Sequence, residues 1–377
     1  MSRTANAISF SDEQAMLLDS ARDFCKHRSP TGKVRELLGD PLGYDLGVWE
    51  EMLQLGWMGI AVEEKFGGSE LGIGSVAPVA EATGRALLST PLINSTLAAQ
   101  AISRAGDAAQ QEAWLPRLAN GAIGSLALLD GEDWGGADSL CTLSADGGKL
   151  SLYGEKWYVP YAHTTELLVV SVQFAGQPAL ALVSNDCLGA KAVRPQRLID
   201  ETKRAARVVF EGVEIAQGSL ITGAGVAPAL RDVKLLGALL SAAEAAGSAA
   251  ACLDLVVDYL KTRKQFGRLI GSYQALKHPT VDILLALDAA RSHVYHAATL
   301  VSATALDAAA ECACRMAKVQ ATEALCLAGD RAVQFHGAMG FTYECDAQLY
   351  LRRAQWAQQQ FGDAAHHRKR LGALLLD

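Results

Sequence analysis

Positive charge is scarce in this chain: 34 Lys and Arg stand against 41 Asp and Glu, a net charge of -7. A nucleic-acid surface needs a basic stripe, so that class of partner is excluded at the outset. The basic clusters Arg352-Arg353 and Arg368-Lys369-Arg370 are short and read as solvated helix faces or local anion contacts. No apolar run approaches the ~18 residues that a membrane span needs. The first residues also lack the apolar segment of a signal peptide. The expectation is therefore a soluble cytoplasmic protein that does not enter the membrane. The eight cysteines are scattered, with no CxxC pair. Cys312 and Cys314 lie two apart on a predicted helix and point to different faces, which suits neither a disulfide nor zinc. His293 and His296 share a helix face but have no third ligand, so no metal site is expected, and His366-His367 reads as surface polarity. Gly223-Ala224-Gly225 lacks the strand-to-helix setting of a dinucleotide fingerprint, and no P-loop or nucleophile elbow is present.

Aromatic residues are also few, at 6%, while half of the 377 residues are hydrophobic. With abundant alanine this favours packed helices, in two or three layers or domains rather than one core. Ser11 reads as an N-cap, with Gln14 completing a capping box before Ala15, Leu17, Leu18 and Ala21. From Trp49 to Gly68 the residues Met52, Leu53, Leu55, Trp57 and Met58 keep near-helical spacing, and the pattern stops at Gly67-Gly68. Beyond about Ala122 the pattern changes. Leu126–Leu129, Leu150–Leu152, Trp157–Val159, Leu167–Val172, Ala179–Val183 and Arg207–Phe210 are short runs separated by Gly, Asp, Asn and Pro, as antiparallel strands are. After about Gly225 helical periodicity returns with Leu236, Leu239, Leu240, Ala243 and Gly247. Residues 242–251 are nearly all small, which lets a neighbouring helix pack close. Segments 276–303, 306–336 and 346–375 complete an up-and-down bundle. The predicted fold is mainly α with an inserted β domain. An N-terminal helical domain covers 1–121, a small antiparallel β domain 122–225, and a C-terminal four-helix bundle 226–377.

Two stretches carry chemistry. TRKQFGRLIGSYQALKH contains Arg263, Gln265, Phe266, Gly267, Ile270 and Gln274, and VQFHGAMGFTYE contains Gln334, Gly337 and Ala338. Arginine grips a phosphate bidentately, an amide both donates and accepts, and glycine lets backbone come close to a ligand. With LGWMGIAVEEKFGGSELG upstream, these motifs resemble the acyl-CoA dehydrogenases, which use FAD to place a double bond α,β to a thioester. The resemblance extends over essentially the whole chain. It implies a surface that reaches across a subunit interface and holds the adenosine diphosphate half of the FAD of the neighbouring chain. By residue match, Arg263 meets the pyrophosphate and Phe266 packs on the cofactor. Gln265, Ile270, Gln274 and Gln334 lie beside it. Gly337 and Ala338 supply the close backbone approach, with Ala338 in place of the second glycine of the usual pair.

Dehydrogenation needs a base for the α proton, a flavin for the β hydride and hydrogen bonds that polarise the thioester oxygen. The register of the family's catalytic glutamate falls on Phe361, and the alternative base position falls on Gly237. Neither accepts a proton. YGEKWYVPYA matches the strand that normally stacks a tryptophan on the flavin and donates a threonine hydroxyl. Tyr158 and Pro160 stand there, and proline offers no hydroxyl and no N–H. The loop at 128–136 matches the family only loosely. Two other carboxylates are candidates. Asp363 lies two residues past Phe361, a turn of about 200° on a helix, and Glu244 lies about 10 Å along the axis from Gly237.

The resemblance thus implies the base-less subunit of a heteromeric α2β2 acyl-CoA dehydrogenase. A paralogous partner would bring the base and the ring pocket, while this chain clamps that partner's FAD. The substrate would be an acyl-CoA thioester of the bulky or steroid side-chain class, with electrons leaving to an electron-transfer flavoprotein. Two other readings stand beside it: a self-sufficient homomer using Asp363, and a non-catalytic scaffold that binds acyl-CoA.

Overall fold

The computed structural model describes residues 12–131, 134, 139–146, 149–301 and 305–376; the expected cap Ser11 lies outside them. The chain begins with α1 (Asp12–Arg28), α2 (Thr31–Glu36), α3 (Leu46–Gln54), α4 (Ala77–Arg85), α5 (Leu92–Ala105) and α6 (Ala108–Ala119). Asp45 caps α3 by accepting from the Val48 N–H. Asp107 and Gln110 form a reciprocal capping box on α6, so two orphan donors are satisfied at once. The helix expected up to Gly68 ends much earlier, at Gln54. Gly56 turns left-handed (φ 73°), and only single 3-10 turns follow at Trp57–Gly59 and Glu64–Phe66.

A sheet comes next: β1 (Gly124–Ala127), β2 (Thr142–Asp146), β3 (Lys149–Pro160), β4 (Leu167–Phe174), β5 (Gln177–Ser184), β6 (Val193–Gln196), β7 (Ala205–Ile215) and β8 (Leu220–Ile221). The order is β6-β7-β3-β2-β4-β5-β8, with β1 beside β4. Most pairs are antiparallel, but β1 runs parallel to β4, Gly124 opposite Leu167, so the sheet is mixed. The two runs expected around Leu150 and Trp157 are one long strand. It is kept continuous by register shifts at Leu152/Tyr153 and Lys156/Val159 and by left-handed Gly154. Inward residues such as Leu152, Leu168, Val170, Val208 and Phe210 form the core of the sheet.

The last part is α7 (Val226–Thr262), the hairpin β9 (Lys264–Gln265) and β10 (Arg268–Leu269), α8 (Gln274–Leu300), α9 (Ala308–His336), α10 (Ala347–Gln359) and α11 (Ala364–Leu376). The single helix expected over 346–375 is two. Phe361 (φ 57°) and Gly362 (φ 101°) break it, and the Asp363 carboxylate restarts it by accepting from the His366 N–H at 2.7 Å. Among the described residues α7 is long and apolar enough to cross a membrane, yet 94% of its apolar window is buried inside the fold. This corrects the reading of the chain as free of long apolar segments. Scattered charges such as Glu244 hide the segment when only unbroken runs are sought.

The small residues of α7 do bring backbones together. A Cβ at Gly247 would stand 1.8 Å from the Glu81 carbonyl oxygen of α4, and one at Gly84 would stand 2.0 Å from that of Glu244. Ser248 Oγ donates to the Gly84 carbonyl at 2.8 Å across the same crossing. A methyl there must push the two helices apart. Gly84→Ala is expected to lower stability by about 3 kcal/mol, the upper range for overpacking. Gly32→Ala, in α2 with nothing within 4 Å of its Cβ, is expected to stay within about 1 kcal/mol of the parent. Urea unfolding of both variants checks this; equal midpoints would contradict the close crossing.

Candidate functional site

The residues singled out in the sequence fall in two places. At one end of the bundle, α7 stops at Thr262 and the chain turns through the β9–β10 hairpin. Its two turn residues, Phe266 (φ 53°) and Gly267 (φ 79°), are both left-handed, as a two-residue hairpin turn requires. Such a backbone is unfavourable for a phenylalanine, and the ring is left 92% exposed. The Arg268 guanidinium lies over the Tyr273 ring at 4.1 Å and braces the hairpin against the start of α8. Tyr259, one turn before the end of α7, stacks on His336, the last residue of α9, at 4.0 Å. That stack brings the second motif beside the first. Arg263, Gln265, Phe266, Gln274, Gln334, Gly337 and Ala338 are all exposed at this end, whereas Ile270 is buried beneath the hairpin.

Tyr158 lies elsewhere, in the cleft between sheet and bundle. It lines a cavity of about 80 Å³ with Trp134, Trp157, Pro160, Tyr161, Trp356 and Phe361. Wider clefts of about 420 and 460 Å³ flank the cavity, and Trp134 lines both. Three of the wall residues, Tyr158, Tyr161 and Phe361, have left-handed backbones (φ 49°, 50° and 57°). Strain of this kind persists only where the surroundings hold it. The two base positions meet here. A Cβ on Gly237 would stand 2.4 Å from the Phe361 ring, so the ring rests directly on the α7 backbone. Two backbone donors of the strand edge are out of use. The Tyr158 N–H is already given to Gln196 Oε1 at 2.8 Å, and Pro160 has none.

Beneath the cavity lies a group of charges that the sequence did not reveal. Arg353 has no exposed surface, which corrects its reading as part of a solvated helix face. Its guanidinium donates to Asp200, to Glu244 at 3.1 Å, to Ser89 Oγ at 3.1 Å and to Thr202 Oγ1 at 2.6 Å. Lys203 Nζ donates to Glu244 at 2.5 Å. Burial alone would raise the carboxyl of Glu244, but Lys203 and Arg353 outweigh it and hold the group below its usual range. Glu244 is the only carboxylate lining the cavity among the described residues, and its Oε1 accepts from both Lys203 and Arg353. Asp363 is exposed and occupied in capping α11. A second hidden knot ties the sheet: buried Lys156 donates to Asp130 at 2.6 Å, Ser139 at 2.8 Å and Ser171 at 2.9 Å. Lys318, on α9, donates to the last carbonyls of α10, Ala357 at 2.9 Å and Gln358 at 3.2 Å. Only Lys156 stood inside a motif; nothing in local pattern marks a buried charge.

The comparisons with known proteins agree with this architecture. The family model for the acyl-CoA dehydrogenase N-terminal domain matches residues 11–122, and that for the C-terminal domain matches 233–376. Acyl-CoA dehydrogenase IpdE2 of Mycolicibacterium smegmatis is 32% identical over 366 residues, 96% of this chain and 99% of the relative. A variant of the Tcur3481-Tcur3483 steroid ACAD has 27% identity and a TM-score of 0.85, over 97% of this chain and 98% of that one. The ChsE4-ChsE5 complex from Mycobacterium tuberculosis has a TM-score of 0.87 over 98% and 99% of the two chains. At 22% identity it shows the shared fold alone. The chain belongs to the acyl-CoA dehydrogenase family of FAD-dependent oxidoreductases. FAD is the cofactor this membership brings, and the two halves of the site fit it unequally. The hairpin end offers exposed Arg263, amides and left-handed glycines. At the cleft, the Tyr158 N–H is already given to Gln196 and Pro160 has none, so the strand edge lacks those two backbone donors.

His367 gives this region a pH dependence. It is buried, not surface polarity as the sequence suggested, and its Nδ1 accepts from Arg315 at 3.3 Å. Burial, then the Lys318 and Arg315 charges, push its pKa down to about 3. The unfolded chain binds a proton near pH 6.5 that the folded chain refuses, so stability falls as pH drops from about 6.5 towards 3. Lys318, pushed down to about 7 chiefly by burial, acts with the same sign only above that pH. His367→Gln is therefore expected to flatten the loss below pH 6.5 by up to about 1.4 kcal/mol per pH unit. Unfolding midpoints at pH 7 and pH 5 test it; parallel losses in parent and variant would refute the assignment.

Proposed function

We propose that this chain is the base-less subunit of a heteromeric acyl-CoA dehydrogenase, clamping the FAD of a paralogous partner that supplies the base. One observation carries the reading: the Phe361 ring lies on Gly237, so both positions for a catalytic base are one hydrocarbon contact. Proton removal needs a basic atom within hydrogen-bond reach of the substrate carbon, and neither residue has one. The carboxylates nearby are committed, Glu244 to Lys203 and Arg353 and Asp363 to the cap of α11. The exposed hairpin end keeps what a pyrophosphate needs. Arg263 takes the diphosphate of the neighbour's cofactor, Phe266 packs on it, and Gln265, Gln274 and Gln334 hydrogen-bond beside it. The backbone at Gly337 and Ala338 comes close to the same group.

A steroid or similarly bulky CoA thioester is the substrate class in this reading. It is supported by the 27% identical relative named as a steroid ACAD and as a pair of chains. An α2β2 assembly in the cytoplasm, handing electrons to an electron-transfer flavoprotein, completes the proposal. The homomeric reading with Asp363 as base has the exposure and capping role of that residue against it.

The chain purified alone is expected to be colourless and inactive. Co-expressed with a paralogous acyl-CoA dehydrogenase from the same genome, it should form a complex with one FAD per pair that bleaches with a thioester. In that complex Arg263→Ala is expected to weaken FAD retention tenfold or more, the loss of one charge-assisted phosphate contact of about 1.5–3 kcal/mol. Flavin absorbance after dialysis reads this. Thioester turnover by the single chain would sink the proposal, and full flavin retention in the variant would sink the role of Arg263.

A further inference from the structure

We infer that Phe361 is a stopper: it bars an acyl tail from this chain's own cavity, so a thioester entering the wider cleft finds room only for its polar part. The inference rests on the reading above, in which Phe361 and Gly237 occupy the positions of a catalytic base, so that the cleft beside them is where a thioester would have to lie. Phe361 lines both the cavity of about 80 Å³ and the cleft of about 420 Å³, and so does Trp134. The two rings stand 4.8 Å apart, tilted by 37°, and together form the partition between the spaces. The spaces differ in chemistry. The cleft is lined by Asp130, Arg231, Lys234, Arg315 and Arg370, as suits a charged head group. The cavity walls are mostly aromatic and aliphatic, as suits a tail, with the paired Lys203 and Glu244 also lining it.

The partition is held in place. Phe361 keeps a left-handed backbone that a side chain adopts only under constraint. Its ring fits because residue 237 has no side chain. On one flank of the loop Lys318 fixes the carbonyls of Ala357 and Gln358, and on the other Asp363 fixes the start of α11. Rotating the ring aside would drive it into Trp134 or into the α7 backbone. The aromatic ring at 361 therefore does more than lack a proton acceptor. It removes the space in which a substrate's α carbon would lie.

The test measures dissociation constants of CoA, acetyl-CoA and hexanoyl-CoA for the full chain by itself, by titration calorimetry. The parent is expected to bind all three within about twofold of one another, because each buried CH₂ would otherwise strengthen binding. Phe361→Gly removes the ring and suits the left-handed backbone; it is expected to bind hexanoyl-CoA at least tenfold tighter than CoA. Trp134→Ala, which opens the partition from its other side, is expected to shift the ratio the same way. A parent that already favours hexanoyl-CoA tenfold overturns the inference, as do folded variants whose ratio stays at one. If the parent binds none of the three, gain of hexanoyl-CoA binding in either variant supports the stopper and continued failure overturns it. Turnover by the parent alone defeats both this inference and the proposed function. A tail preference without turnover defeats the stopper only.

Discussion

Arg353 depends on every layer of the fold being in place. Its guanidinium is enclosed by Asp200 and Thr202 from the loop before β7, Glu244 from α7 and Ser89 from the turn between α4 and α5. Lys203 balances the second carboxylate, so two positive and two negative side chains meet out of water. Taking such groups from water is expensive, and the arrangement holds because opposite charges meet at hydrogen-bond distance. Removing one member leaves a buried charge uncompensated, at about 3–5 kcal/mol. The network thus fixes how the first helices, the sheet and the bundle sit against one another. The same network holds Glu244, the acid that lines the cavity, between Lys203 and Arg353.

The two residues at the expected base positions are tied together by packing as well. Residues 237 and 361 face each other across so short a gap that a side chain on one excludes an aromatic ring on the other. With phenylalanine at 361, glycine at 237 is a steric requirement, so the two empty positions are one event. The loop between α10 and α11 holds Phe361 in a left-handed backbone, with its side chain lining the cleft. That side chain has no proton chemistry.

Much of this was legible in the sequence, and what was not has a common cause. Long elements with a regular period, such as the start of α7 and the pairing runs of β4 and β5, follow from pattern alone. The motif around Arg263 to Gln274 pointed to a ligand-gripping surface, but its hairpin was not foreseen, because a single Gly267 is a weak turn signal. The short strands β2, β6 and β8 were invisible: they are brief, and β2 and β6 carry polar or charged residues. The break at Phe361 was hidden because no proline marks it and a single Gly362 weakly punctuates a helical pattern. Arg353 and His367 looked like surface residues and Lys318 drew no notice, since local pattern carries no record of a partner far away in the chain. Glu244 was seen as a spare carboxylate for the same reason; its partners come from the β6–β7 loop and α10.

The geometry of α7 explains how one half of the site can erode while the other persists. Gly237 and Arg263 lie on or at the end of one helix, separated by 26 residues, roughly 39 Å at 1.5 Å per residue. Effects at sites this far apart, with no shared partner, add nearly independently. The stacked Tyr259 and His336 and the I′-type turn at Phe266 and Gly267 shape the hairpin end without reference to the cavity. The ring at 361 is held by Gly237, Trp134 and the caps around its own loop. A rigid helix can therefore carry the proposed grip for a neighbour's dinucleotide at one end. Nearer its other end it forms a wall of the cavity, and neither feature constrains the other.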